Sequence, residues 1–119
     1  MIFNNIISIG KQTFNVSLAK KTEEIQKGLM FQTELPKNSG MLFIYRYEDY
    51  HWIWMKNTYI PLDVIWFDEN RIVVHKQTLY SGSLKKVTPP EKSKYILEVA
   101  ANTFDGNVGD IMLFNKELK

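Results

Sequence analysis

The residues with the most chemical potential gather between His51 and Phe67, the segment that holds all three tryptophans. If residues 51–56 run extended, alternation places Trp52, Trp54 and Lys56 on one face. Two indoles ending in an ammonium could stack a sugar or a base and grip an anion. The same row also suits a core face whose lysine reaches out at the strand end, and the residue types favour that packing reading. Asn57 and Thr58 precede the bend at Pro61, where their side chains can cap loose backbone groups. A ligand-facing Asn57 is the alternative.

Two carboxylates stand out because they fall on apolar rows. Asp63 alternates in phase with Ile65 and Phe67, and Glu98 with Ile96 and Ala100. A buried carboxylate needs a partner or an elevated pKa. The pair could be tuned acids near Lys56, able to exchange protons with a substrate. The structural reading, which weighs more, is a salt bridge or a carboxylate that braces a turn by accepting backbone N–H groups. The nearness of Asp63 to Pro61 suits bracing.

Other chemistry is poorly supported. The chain has no cysteine, which removes disulfides, thiolate metal sites and cysteine nucleophiles. His51 and His75 lack metal-ligand spacing, so no metal and no cofactor are expected. Met30, Met41 and Met55 could offer thioethers to copper(I), but methionine is far more often core filler. No phosphate-binding loop or Gly-x-Ser-x-Gly motif is present. Net charge is +2, and the cations are scattered lysines with only Arg46 and Arg71 as arginines. Nucleic-acid binding is therefore not expected. No apolar run approaches the roughly 20 residues of a membrane helix. The first ten residues lack the basic start of a signal peptide, so the chain as it stands reads as cytoplasmic, or exported if a leader was trimmed.

The elements that must position these groups are short. Residues 2–9 and 12–19, with Gly10-Lys11 between, read as a hairpin. Thr22 is placed to cap a helix over about 22–30, with Glu23 and Glu24 in its first turn and Gly28 weakening or ending it. Met41–Tyr45 reads as a strand. The 51–67 segment divides into two extended pieces around Pro61. Residues 71–79, 95–100 and 111–114 complete the strands. Residues 80–93 form an exposed loop, and 102–109 a turn-rich stretch with at most one helical turn. The sum is a β-rich α+β fold: one domain over residues 1–119, built on a strongly bent, mostly antiparallel sheet that tends toward a barrel, with one short helix.

A series of ordered motifs adds a resemblance. Gly28-Leu29-Met30, Gly40-Met41-Leu42-Phe43, Trp54-Met55-Lys56-Asn57-Thr58, Ile60-Pro61-Leu62-Asp63 and the later Leu97-Glu98 with Gly109-Asp110 resemble the uncharacterised family called domain of unknown function 192. The likeness runs from about Phe14 to about Leu113. It departs at Asn102, where the family usually carries glycine, and in the short stretch before Gly109. The resemblance implies a small β-rich fold with one helix and no assigned activity.

Three functional classes follow. The first is a small-molecule or ion binding module at the Trp54–Thr58 bend, using Trp52, Trp54, Lys56, Asn57, Asp63 and Glu98. The second is a protein-interaction or structural module, a monomer or weak homo-oligomer. The third is a hydrolase or lyase in which Lys56, Asp63 and Glu98 converge.

Overall fold

The computed structural model describes residues 1–115. Alternating apolar residues on either side of Gly10-Lys11 form the antiparallel hairpin of β1 (Asn5–Ile9) and β2 (Gln12–Ala19). Helix α1 (Thr22–Lys27) follows. Its start is organised by Glu24, whose carboxylate accepts the N–H groups of Lys21 and Lys20 at 2.9 and 3.1 Å. Those two bonds hold the Glu24 carboxyl below its ordinary range. The cap residue is thus Lys21 rather than Thr22, and the helix stops at Gly28 instead of reaching residue 30.

The remaining strands are β3 (Ser39–Asp49), β4 (Leu62–Phe67), β5 (Val73–Leu79), β6 (Ser93–Ala100) and β7 (Met112–Phe114). They form one seven-stranded sheet in the order β5-β4-β6-β3-β2-β1-β7. Only β2 and β3 pair in parallel, and α1 lies in their connection. The two edges of the sheet meet at one end, where Ile72 bridges Ile111. There the Val73 N–H donates to the Asp110 carbonyl and the Met112 N–H to the Arg71 carbonyl, each at 2.8 Å. The sheet is therefore a curled half-barrel, β-rich with one short helix among the described residues.

Each strand of the middle contributes to two cores, because neighbouring side chains point to opposite faces. Ile7, Phe14, Leu42, Ile65, Leu97 and Met112 fill the inside of the curl. On the outer face Phe43, Val64, Trp66 and Ile96 pack with Leu29, Ile53 and Met55 from the covering segments. Gly40 allows β3 and β6 to sit tightly together there, since a Cβ at this position would collide with the Glu98 carbonyl.

Three local expectations change. β3 runs on to Asp49 rather than ending near Tyr45, and its exposed residues Arg46 and Tyr47 masked that extension. Residues 51–56 form no regular strand, only a single bridge from Ile53 to Val87. Residues 102–109 contain no helical turn. The N–H groups that would have started one, from Thr103 and Phe104, donate to Asp63 instead at 2.9 and 3.0 Å.

Candidate functional site

The outer face of β3 and β6 is not fully covered. Between α1 and the 50–58 segment lies an open cavity of about 900 Å³. Phe43 and Glu98 form its floor, Ile25, Gly28 and Leu29 one wall, and His51, Trp52, Trp54 and Lys56 the other.

The second wall is shaped by how residues 50–58 leave β3. Ile53 exchanges backbone hydrogen bonds with Val87 at 3.1 and 2.8 Å, and the Met55 N–H donates to the Ser83 carbonyl at 3.0 Å. Asn57 adopts the left-handed conformation at φ 53°, which turns the chain. Ile53 and Met55 take the buried positions, so alternation sends Trp52, Trp54 and Lys56 the other way. The three do share a face, but it is the cavity face and not a core face: Trp52 is 41% exposed. The third tryptophan, Trp66, is the one that is fully buried.

Aromatic contacts fix the rings. Trp52 and Trp54 meet edge to face at 5.5 Å. The Lys56 ammonium lies over Trp54 at 5.2 Å and that of Lys86 over Trp52 at 4.6 Å, so both indoles offer electron-rich faces to cations. His51 stacks on Tyr45 at 3.5 Å and 15°. Among the described residues one backbone bond joins the two walls, from the Phe31 N–H to the Asn57 carbonyl at 2.9 Å.

Glu98 is the chemical centre of the site. It is 4% exposed, and among the described residues no hydrogen bond or ion pair reaches its carboxyl. Burial alone pushes that carboxyl up to about 8. At neutral pH it is therefore mostly protonated, able to donate one hydrogen bond and accept others. Burial and the Glu98 charge together push the Tyr45 phenol above its ordinary range, so Tyr45 stays protonated. Gly28 brings the end of α1 close to this acid. A Cβ there would lie 3.2 Å from Phe43 Cζ and 3.8 Å from Glu98 Oε1.

Asp63 is placed elsewhere. Val64, not Asp63, pairs with Glu98 across β4 and β6, so the two carboxylates point to opposite faces of the sheet. Asp63 is saturated where it sits: it accepts from Thr78 Oγ1 at 2.7 Å and from the N–H groups of Thr103 and Phe104. This is the bracing role, and it removes Asp63 from the cavity. The trio of Lys56, Asp63 and Glu98 expected for a hydrolase or lyase does not assemble. Trp52, Trp54, Lys56, Asn57 and Glu98 do line one cavity. Sequence reasoning missed Tyr45, His51, Phe43 and Gly28. For Phe43 and Gly28 a signal existed, because the motifs Gly28-Leu29-Met30 and Gly40-Met41-Leu42-Phe43 both reach the cavity wall or floor. For Tyr45 and His51 no motif pointed the way.

No helix among the described residues is long and apolar enough to cross a membrane. The fold is shared with solved structures. A protein of unknown function from Novosphingobium aromaticivorans DSM 12444 superposes with a TM-score of 0.85 at 27% identity, covering 92% of this chain and 84% of that one. A protein from Sinorhizobium meliloti 1021, provisionally named a transcription regulator, gives a TM-score of 0.87 at 24% identity over 92% of each chain. The second likeness shows the fold alone. No curated protein matches the sequence. The model of the DUF192 family, described as an uncharacterized ACR, matches residues 5–110. The chain belongs to the DUF192 family, for which no activity is assigned.

Proposed function

We propose that the protein binds a small molecule in the cavity between α1 and the 50–58 segment. One observation carries the reading: Glu98, a buried acid without a partner, sits on the floor of an open, ring-lined space. Burial disfavours its charged form, and no protein group compensates it. A ligand that hydrogen-bonds it supplies the missing partner. The volume of about 900 Å³ lies within the range of small-molecule sites.

The test is a thermal-shift screen read also by tryptophan fluorescence, with nucleotides, sugars, amines, small anions and metals. A compound at about 100 times its Kd adds roughly 2.7 kcal/mol, several degrees in a domain of this size. The expected result is a shift in the wild type that Trp54→Ala abolishes, and that Glu98→Gln abolishes for a compound that pairs with the acid. Asp63→Asn, outside the cavity, is expected to lower the melting temperature yet keep the ligand shift. A shift that survives both cavity substitutions, or no shift with any compound, overturns the reading.

A second reading is a protein-docking face. It draws on the rings around the mouth, where Phe31, Tyr50, Trp52 and Tyr59 are 55, 52, 41 and 54% exposed. Light scattering separates the two: a stable self-complex or heterocomplex supports docking, and a monomer that gains stability with a small compound supports the cavity.

A further inference from the structure

We infer that the cavity takes an organic cation, a primary amine on an apolar or aromatic body, with its ammonium seated against Glu98 and its body between the rings of the 50–58 segment. This rests on the reading of the cavity as a ligand site and names the ligand's chemical class.

The lining decides the class by elimination. An anion could pair with Lys27 or Lys56 on the walls, but on the floor it would meet Glu98, which can only become negative. A sugar needs many polar partners at depth, and the floor offers Glu98 alone beside the apolar Phe43. Thr58 Oγ1 already donates to the Lys56 carbonyl at 3.1 Å, and Phe43, Ile25 and Leu29 are apolar. A metal ion needs several oxygen, nitrogen or sulfur ligands, and no group of three or more His, Cys, Asp or Glu side chains among the described residues could hold one. An ammonium needs one carboxylate, further acceptors and polarizable surroundings. Glu98 supplies the carboxylate and the stacked Tyr45–His51 pair supplies ring faces. The indoles of Trp52 and Trp54 already hold the ammonium groups of Lys86 and Lys56, which shows that their faces take a cation.

Seating the cation changes the charge of the acid. Below about 8 the empty site holds a neutral Glu98. An ammonium favours the ionised form, so the carboxyl gives its proton to solvent as the amine binds. The titratable groups that face this space are Tyr45 from β3, Glu23 and Lys27 from α1, and Tyr50, His51 and Lys56 from the 50–58 segment. β4 contributes Val64, which has no charge, opposite Glu98. None of them offsets the burial that raises the acid.

The experiment compares two probes of matched shape, 2-phenylethylamine and 2-phenylethanol, by calorimetry between pH 6 and 9 in buffers of different ionisation enthalpy. The amine keeps its proton until about pH 10. Its affinity is expected to rise close to tenfold per pH unit up to about 8 and then level off. Near pH 7 about one proton is released per amine bound. The alcohol binds without proton release. Glu98→Gln is expected to keep the alcohol and lose both the proton release and the rise in amine affinity. His51 and Lys56 remain in that variant, so any pH dependence of their own stays behind in it. Alcohol binding equal to or tighter than amine binding at pH 8 overturns the cation assignment and leaves the cavity reading standing. Binding of neither probe overturns both.

Discussion

Glu98→Gln is expected to flatten the loss of stability that the wild type shows between about pH 5 and 8. The sign follows from the raised carboxyl. In the unfolded chain the group ionises near 4.5, and in the folded protein near 8. Below the lower value both states hold the proton and the acid costs nothing by titration. Between the two, the unfolded state is ionised while the folded state still binds a proton. Each pH unit in that window then removes up to about 1.4 kcal/mol from folding. By pH 7 the loss is on the order of 3 kcal/mol, a large part of the 5–15 kcal/mol typical of a domain. Above 8 both states are ionised and the full penalty persists. Glutamine fills the same volume without titrating. Urea denaturation of both proteins at pH 5 and pH 8 isolates the effect, because the other carboxylates cancel in the difference. Equal slopes in the two proteins would show that Glu98 is partnered and structural.

Trp66→Ala is expected to be the most damaging single substitution near the site, lowering stability by about 3–5 kcal/mol. Trp66 is fully buried in the outer core and pairs with Ile96 of β6. Its ring edge meets His75 at 5.2 Å. Its indole N–H also donates to the His51 carbonyl at 3.2 Å, which ties the 50–58 segment to the sheet. Truncation leaves a cavity, frees that carbonyl and releases the stack of His51 on Tyr45. Trp66→Phe keeps most of the volume and loses one hydrogen bond, a cost nearer 1 kcal/mol. Denaturant midpoints for the two variants separate packing from tethering. A loss under about 1 kcal/mol in Trp66→Ala would contradict this placement of the core.

Strand alternation made much of this arrangement legible in the sequence. It set the β1–β2 hairpin around Gly10-Lys11 and put both Asp63 and Glu98 on buried rows. Alternation speaks only within one strand, however. Whether two rows share a face depends on register, and the Val64–Glu98 pairing sets the carboxylates apart by one residue. That offset changes a supposed acid pair into a brace on one side and a free acid on the other.

The tryptophans mislead for a related reason. Large aromatics are usually buried, which favours Trp52 and Trp54 as core. Ile53 and Met55, in the alternate row, fill that core instead. The turn at 102–109 depends on Asp63, some 40 residues away, and no local rule registers so distant an acceptor. Tyr45 and His51 meet because the chain turns back after Asp49, where the His51 N–H donates to the Asp49 carbonyl at 3.0 Å, and because Trp66 tethers the His51 carbonyl.

The central claim is that Glu98 is a free acid facing a ligand space. The most direct measurement is a carbon-detected magnetic-resonance titration of its side-chain carboxyl, assigned by comparison with Glu98→Gln. The expected midpoint is near 8 in the empty protein, moving below neutrality when 2-phenylethylamine saturates the cavity. A midpoint at or under 4.5, unmoved by any compound that binds, would mean that the acid is already partnered and that the cavity has no chemical centre.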